Sequence, residues 1–368
     1  RYTTWGPVTH DHKPGHPYRD CAMRWVAHQA EGADQISTFR GLNTGKDLAD
    51  YQIALAGFAS PAQNFVFAAR SGDIAMQVQG KFPLRAPGQG RTVQDGSQSA
   101  NDWPGFVPQE HLPAMQNPLR GFVASANQHS VPPSYPYYLP GSYADWRNIR
   151  INKRLADVQN ATLDSMKAMQ MDNFSARAAA ALPVMLKLLD RSNLNPTEQK
   201  HVAELENWRF SYEKDLAAPA LFEAWFDSCY ARTWDELFAL RAKGMDVLTP
   251  EAWRFVFLME RDPSNKFFDH AATPDVRETA QQIVTETFKT MSAKAALAAP
   301  GDWAWGKFRG LKINHLAYIA AFGRKDILTG GHRTAPNAQT SNHGPSWRMV
   351  VEMSDPVRAQ GIYPGGQS

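Results

Sequence analysis

The feature that most constrains the fold is a long stretch with helical patterning, residues 145–299, that separates two stretches rich in glycine and proline. Its clearest signal is Asn195-Pro196-Thr197-Glu198: Asn caps a helix, Pro fits the first turn, and Glu reaches back to the capping amide. Val202, Leu205 and Trp208 then recur at helical spacing. We therefore expect a mainly helical insertion over residues 145–299.

The first flanking stretch, residues 1–144, has the pattern of β-strands. The apolar runs Asn64–Ala69 and Ile74–Val78 flank the polar residues Ser71–Asp73, which is typical of a β-hairpin. A second strand is predicted at Gly121–Ala126, followed by a polar loop. These patterns predict a β-rich part of a folded core.

Residues 300–368 return to short apolar runs between glycines, and residues 347–353 alternate as a strand does. A β-rich start, a helical middle and a β-rich end predict an α+β fold, in which residues 300–368 rejoin the core that begins in residues 1–144.

Composition and charge exclude several classes of protein. The 368 residues carry 39 Lys and Arg against 36 Asp and Glu, a net charge of +3, which argues against a dedicated nucleic-acid binder. No apolar run approaches the ~20 residues of a membrane span, so no spanning helix is expected. The two cysteines, Cys21 and Cys229, form no C-x-x-C motif, and whether they pair as a disulfide stays open.

The residues offer one weak metal candidate. His10, Asp11, His12 and His16 lie close together in sequence, within a loop that contains Pro and Gly. Their spacing is not that of a regular ligand set, and it favours a solvated loop over a metal site.

Two further positions carry potential chemistry. Asn127 follows the predicted strand, where its amide could donate to an oxyanion, although the residues alone favour an Asn that caps a turn. Arg147, Arg150 and Arg154, with the apolar Ile151 and Leu155, share one side of a helix. Such a run usually lies on a solvated basic face.

Taken together, the motifs resemble the penicillin acylase (penicillin amidase) family of N-terminal-nucleophile hydrolases. The residues that carry the resemblance are, in order, Trp5-Gly6-Pro7-Val8, Ala22-Met23-Arg24-Trp25, the hairpin Gln63–Ile74, Gly80–Arg85, Trp103–Pro108 with Leu112-Pro113, Asn117–Asn127, His343–Arg348 and Pro364–Ser368. Each motif alone is weak, but the ordered series spans nearly the whole chain.

The resemblance implies an αββα sandwich, here incomplete, with a helical insertion. It implies a precursor cleaved into a light and a heavy chain, whose new N-terminal Ser attacks an amide and forms an acyl-enzyme. Asn127 matches the oxyanion-binding Asn of the family, and Arg147 matches a site-ordering Arg less closely. The chemistry needs no cofactor. The family also implies a possible structural Ca²⁺, for which no ligands are assigned here, and a periplasmic or secreted location.

The chain departs from the family at its first residue. Arg1 is not Ser, Thr or Cys, so no nucleophile is expected in this chain. We expect an internal heavy-chain fragment, inactive alone, whose partners are the light (alpha) chain, further heavy-chain segments and a small-molecule amide.

The substrate stays open at this stage. Penicillin-type N-acyl groups are the first expectation, and acyl-homoserine lactones or cephalosporin side chains are alternatives within the same fold. A non-enzymatic binding module derived from the fold is the alternative from another class.

Overall fold

The computed structural model describes residues 1–29, 35–245, 247–345 and 347–363. These residues form two compact units: the first comprises Arg1–Tyr143 with Met353–Val357, and the second comprises the other described residues. The motif residue Ser346 and the motif at 364–368 lie outside the described residues. The three-part division at residues 144 and 299 stays a prediction from the sequence.

The first unit combines short strands with two helices. Its elements are β1 (Tyr2–Thr3), β2 (Gly6–Pro7), α1 (Gln35–Thr44), α2 (Leu48–Leu55), β3 (Gln63–Ala68), β4 (Ile74–Gln79) and β5 (Ala114–Gln116), with short 3-10 turns at Val26–Gln29, Ser99–Asn101 and Gln109–His111. Strands β3, β4 and β5 form an antiparallel sheet with β4 in the middle. The predicted hairpin is confirmed, since β3 pairs with β4 in full register from Gln63↔Gln79 to Ala68↔Ile74.

Helices α1 and α2 were not predicted from the sequence. Helix α2 begins where the Asp47 side chain accepts the Asp50 N–H at 2.9 Å. It then buries Leu48, Tyr51 and Leu55 against the sheet residue Ala75. The Tyr51 hydroxyl also donates to the Phe65 carbonyl at 2.9 Å. These contacts, which join residues distant in sequence, stabilise a helix too short for a clear periodic pattern.

The predicted strand Gly121–Ala126 is not a strand in the structure. A side-chain hydrogen bond connects this segment to β3, in which Asn64 Nδ2 donates to Ser125 Oγ at 2.7 Å. An apolar run becomes a strand only where a neighbouring backbone supplies the ladder of hydrogen bonds, and the described residues supply none here.

The second unit is mostly helical. Its elements are α3 (Trp146–Asp157), α4 (Leu163–Gln170), α5 (Ala176–Leu188), α6 (Pro196–Asn207), α7 (Ala218–Thr233), α8 (Asp235–Ala242), α9 (Ala252–Arg261), α10 (Ala280–Leu297), α11 (Trp305–Arg309), β6 (Leu311–Ile313), β7 (Arg324–Ile327), β8 (Arg348–Glu352) and β9 (Arg358–Ile362), with 3-10 turns at Lys266–Phe268 and Ala320–Phe322. Strands β6 and β7 form one antiparallel ladder and β8 and β9 another. The strand predicted at 347–353 is therefore confirmed as β8.

A single apolar core lies between the helices of this unit. Helices α5, α6, α7, α9, α10 and α11 contribute most of its buried side chains, which include Leu182, Met185, Val202, Leu205, Trp225, Phe226, Phe255, Ile283, Phe288 and Trp305. The predicted start of α6 is confirmed, because Asn195 Oδ1 accepts the Glu198 N–H at 3.0 Å and Glu198 Oε2 accepts the Asn195 N–H at 2.9 Å. Over the described residues, no helix has the length and apolarity needed to cross a bilayer.

Candidate functional site

Asn127, the predicted oxyanion-binding residue, lies in the first unit with its backbone in the left-handed region, at φ +63°. Asn is among the few residues other than Gly that adopt this conformation readily. The preceding Ala126 is buried, and its N–H donates to Gln128 Oε1 at 2.7 Å. Asn127 itself is exposed. The turn therefore presents this residue at the surface of the unit.

The chain segment before Asn127 is hydrogen-bonded to the outer strand of the sheet. Ser125, two residues earlier, accepts the hydrogen bond from Asn64 on β3. β3 is an end strand of its sheet, and its Val66 is 60% exposed. Asn127 thus lies two residues from a contact with a strand that, among the described residues, forms the edge of its sheet.

The loop that follows Asn127 is fixed by its histidine and tyrosines. The His129 ring meets the Tyr143 ring edge-on, with centroids 4.8 Å apart. The Tyr135 hydroxyl donates to the His111 carbonyl at 2.9 Å, and the Tyr137 hydroxyl lies 2.6 Å from His111 Nδ1. These contacts restrict the loop and support the turn at Asn127.

Arg147, the predicted site-ordering residue, belongs to the second unit, in the first turn of α3. Its side chain is half-buried, and this burial lowers the pKa of its guanidinium. Asn127 and Arg147 lie in different units. The functional roles of both residues stay predictions from the sequence.

The other arginines of α3 do not form the solvated basic face that such a run usually indicates. Arg150 Nε and Arg154 Nη1 bond the same Asp172 oxygen at 2.7 and 3.0 Å. Asp172 is buried, and the Phe174 N–H donates to its second oxygen at 2.9 Å. Burial alone would raise the pKa of Asp172, but these hydrogen bonds and the Arg150 charge lower it. The paired arginines therefore fix the helix that carries Arg147.

The residues suggested as metal ligands do not form a ligand set. His10 and His16 stack on each other with ring centroids 3.9 Å apart, and Asp11 lies 3.6 Å from Arg1 Nε. Among the described residues, no group of three or more His, Cys, Asp or Glu side chains is placed to hold a metal ion. The structural Ca²⁺ that the family implies stays a prediction, and no step of the chemistry is assigned to it.

A buried polar cluster in the second unit was missed by the sequence analysis. Arg177 of α5 and the Tyr212 hydroxyl both donate to Glu223 Oε1 of α7. His332 Nε2 lies 3.7 Å from the other Glu223 oxygen, and its ring stacks on Tyr212. Burial alone would raise the pKa of Glu223, but the Arg177 charge and the hydrogen bonds lower it to about 2.

This buried cluster holds charge inside the helical core. Burial lowers the pKa of His332 to about 3, so its ring is neutral near pH 7. The four side chains are each less than a tenth exposed, which closes them to a substrate and gives them a structural role. They are too far apart in sequence for any motif to reveal them.

The two cysteines are free thiols with different environments. Cys21 is half-buried in the first unit. Cys229 is buried in α7, where its Sγ lies 2.9 Å from Thr287 Oγ1. Burial raises the pKa of Cys229 to about 12, which makes this thiol inert.

Comparisons with known proteins support the resemblance. An acyl-homoserine lactone acylase QuiP from Pseudomonas syringae pv. tomato is 27% identical over 348 residues, covering 83% of this chain and 41% of that protein. The protein of the same name from Pseudomonas putida is 28% identical over 342 residues, with the same coverage. Penicillin acylase 2 proenzyme from Pseudomonas sp. strain SE83 is 27% identical over 143 residues, 39% of this chain and 18% of that protein. The chain thus spans about two fifths of the length of the acyl-homoserine lactone acylases that it matches.

A solved structure shows the same fold. The chain superposes on a thermostable penicillin G acylase from Alcaligenes faecalis with a TM-score of 0.59 at 14% identity, covering 82% of this chain and 58% of that one. The α+β, N-terminal-nucleophile hydrolase fold expected from the resemblance is thereby confirmed. The family model described as penicillin amidase matches residues 1–368. The chain belongs to the penicillin amidase family.

Proposed function

We propose that the protein containing this chain is an acylase that hydrolyses the amide bond of an N-acylated small molecule. The observation that carries the proposal is the match of the family model to the whole chain. The periplasmic or secreted location and the processing of a precursor into two chains remain predictions from the family.

In the proposed mechanism, the nucleophile is an N-terminal serine outside residues 1–368. Its hydroxyl attacks the amide carbonyl, its α-amino group accepts the hydroxyl proton, and the carbonyl oxygen becomes an oxyanion. The C–N bond then breaks, the proton passes to the leaving amine, and water hydrolyses the acyl-serine.

Asn127 is proposed to bind the oxyanion. Its Nδ2–H group is a donor, and the left-handed turn presents the residue at an exposed position after a fixed segment. A donor that is already oriented stabilises the developing charge without reorganisation during the reaction. Exposure agrees with this role, because the residue must meet groups supplied by polypeptide outside this chain.

N-acyl-homoserine lactones are the substrates we favour. The relatives that match more than four fifths of this chain carry that activity in their names, whereas the relative named for penicillin matches less than half. Penicillin-type N-acyl groups are the second candidate. Hydrolysis rates of the full-length protein on N-acyl-homoserine lactones, penicillin G and a cephalosporin would rank the classes, and no release of amine from any of them would instead favour a binding module.

The role of Asn127 is tested by Asn127→Gly and Asn127→Asp in the full-length protein. Glycine keeps the left-handed backbone and removes the amide, whereas aspartate keeps the shape and removes the N–H donor. Both variants should lower kcat by about 10²–10³-fold if the amide stabilises the oxyanion.

Comparing the two variants distinguishes a loss of catalysis from a loss of folding stability. Because Gly relieves any backbone strain at φ +63°, a lower kcat in this variant with an unchanged melting temperature reports the missing donor. Turnover equal to that of the unmodified protein in either variant would remove Asn127 from the mechanism.

Arg147 is proposed as a positioning residue. Arg147→Lys keeps the charge but not the planar guanidinium, and Arg147→Ala removes both. We expect Ala to impair turnover more than Lys, with kcat and KM measured separately and chain processing followed on gels. An Ala variant with normal processing, kcat and KM would refute the role.

A further inference from the structure

A cavity of about 740 Å³ lies within the first unit. Its walls come from the segment between Thr3 and Arg24 and from the segment between Arg85 and Trp103. The volume is that of a site for a small organic molecule. The amide chemistry proposed above assigns no role to these residues.

The cavity wall stacks two cations on aromatic rings. The Arg24 guanidinium lies 4.4 Å from the centre of the Trp103 ring and 5.1 Å from that of Trp5. The Arg85 guanidinium lies 5.0 Å from the centre of the same Trp103 ring. Stacking holds both planar groups in fixed orientations.

The two cations differ in their counter-charges. Arg24 forms an ion pair with Asp102, and Asp20 at the cavity wall is paired with Arg1 at 3.1 Å. In the part of the chain that the structure describes, no carboxylate pairs with Arg85. Burial lowers the pKa of Arg85, as expected for a half-buried cation without a nearby anion.

Two further polar atoms of the wall lack partners. Arg24 Nε and His10 Nδ1 are buried and make no hydrogen bond within the described residues. Buried polar atoms are normally satisfied, so these two are exceptions within the described structure. Gly90 adds to the positioning of Arg85, because a Cβ at this glycine would lie 1.9 Å from Arg85 Nη1.

We infer that this cavity binds a small aromatic carboxylate, with the carboxylate on Arg85 and the ring against the Trp5 and Trp103 wall. The guanidinium matches a carboxylate in shape and charge. The tryptophans and the neighbouring Met23 and Val93 supply the apolar surface that a flat ring needs. This binding is a property beyond the proposed hydrolysis and does not depend on it.

Cys21 lines the cavity, so its rate of alkylation reports whether a ligand occupies the cavity. The full-length protein is alkylated with iodoacetamide, with 2-naphthoate or the neutral 2-naphthamide present, and the rate at Cys21 is followed by peptide mass spectrometry. With 2-naphthoate at about ten times its Kd, alkylation should slow about tenfold, because only the free protein reacts. The amide should give little protection, and buried Cys229 serves as the unreactive internal reference.

Arg85→Gln tests the carboxylate contact, and Arg91→Gln is its matched control. Arg91 lies six residues away, is exposed and is not part of the wall, so its variant should keep the protection that Arg85→Gln loses. Equal protection by the acid and the amide, protection retained in Arg85→Gln, or no protection in the unmodified protein would each overturn the inference. The comparison of acid with amide needs no variant, so a misfolded Arg85→Gln does not leave the question open.

A third variant separates this site from the proposed chemistry. Asn127→Gly should lose amide hydrolysis but keep the protection of Cys21. If hydrolysis is absent from the unmodified protein and the protection is present, the proposed function fails and the cavity inference stands. If the Asn127 variant also loses the protection, the carboxylate is bound through Asn127 and the assignment to Arg85 fails.

Discussion

At the residue scale, Asp172 illustrates how one buried carboxylate determines the behaviour of several side chains. It accepts hydrogen bonds from Arg150 and Arg154, which are 22 and 18 residues away, and its own side chain is only 6% exposed. The two guanidiniums lie on one face of α3, the helix that begins with Trp146 and Arg147. The position of Arg147 therefore depends on a residue outside its own helix.

Replacing Asp172 with Asn tests this dependence. At pH 7 we expect the free energy of unfolding to fall by about 1–3 kcal/mol, the usual range for hydrogen bonds to charged groups. The folded-state pKa of Asp172 is lowered, so its contribution is present above the unfolded value of ~3.9 and is lost as pH falls through the folded value. Urea unfolding at pH 7 and at successively lower pH should show the difference shrinking.

Asp215→Asn provides the control for this experiment. The Asp215 side chain is 77% exposed and pairs only with the adjacent Lys214 in the described structure, so its loss should change stability by less than about 0.5 kcal/mol. Equal effects of the two substitutions would contradict the account of Asp172.

The sequence predicted the importance of some of these residues but not their backbone conformation or their partners. Asn127 was singled out by its place after an apolar run and by the family resemblance, but its left-handed backbone has no signal in that run. The pairing of the α3 arginines was missed, because Asp172 follows another helix and only packing brings it to α3. Local patterns identify the residue types, whereas their partners depend on the tertiary structure.

At the scale of elements, helices α5 and α7 are joined by a buried ion pair. Arg177 and Glu223 have side chains that are 2% and 8% exposed, and Tyr212 and His332 surround the pair. Removing one partner of such a pair leaves the other charge in a site that water does not reach. The contact between these helices therefore depends on both charges.

Glu223→Gln is expected to lower the free energy of unfolding by about 3–5 kcal/mol, because Arg177 keeps its charge in the interior without the Glu223 carboxylate that pairs with it. The folded-state pKa of Glu223 is about 2, so the stabilisation is present above the unfolded value and is lost between roughly pH 4 and pH 2. The variant should show a flatter acid-denaturation curve over that interval, measured by circular dichroism.

Two further variants test whether the loss of stability comes from the buried ion pair. The double variant Arg177→Met with Glu223→Leu should recover most of the loss, since apolar groups replace the buried pair. Glu286→Gln removes the partner of Arg232 in an exposed pair and should cost less than about 1 kcal/mol. A Glu223→Gln variant as stable as Glu286→Gln would show that the buried pair contributes little.

The helices and strands also differ in whether the sequence predicts them. The β3–β4 hairpin and the start of α6 were predicted, since a turn and a capping box are encoded within a few residues. Helices α1 and α2 were missed, and the strand at 121–126 was predicted wrongly. Those cases depend on partners elsewhere in the chain, such as the sheet under Tyr51.

At the scale of the whole molecule, the two units differ in the size of their apolar cores. Leu48, Tyr51, Leu55 and Ala75 form the buried cluster of the first unit, whereas the cluster of the second includes side chains from six helices. A segment with few buried contacts opens locally at a lower free-energy cost. We therefore expect helices α1 and α2 to open locally at a lower free-energy cost than the core helices of the second unit.

Hydrogen exchange followed by mass spectrometry would measure this difference. We expect the slowest exchange in α5, α7 and α10, and faster exchange in α1 and α2, because the latter protect a smaller core. The comparison is made within one sample, so solution conditions are matched. Equal protection in α2 and α7 would contradict the difference in local stability.

The fold and the family were predictable at this scale because the motifs occur in order along nearly the whole chain. The substrate was not predictable, since the family's shared motifs describe the chemistry of the amide and not the acyl group. The Arg85 cavity was not predicted either, because its walls come from two segments more than sixty residues apart.

The distribution of tryptophans has an optical consequence. Trp208, Trp225, Trp234 and Trp305 are each at most 5% exposed, and all four belong to the helical unit. Indoles shielded from water emit at shorter wavelengths than hydrated ones. The short-wavelength part of the protein's intrinsic emission should therefore report the melting of the helical unit without any added dye.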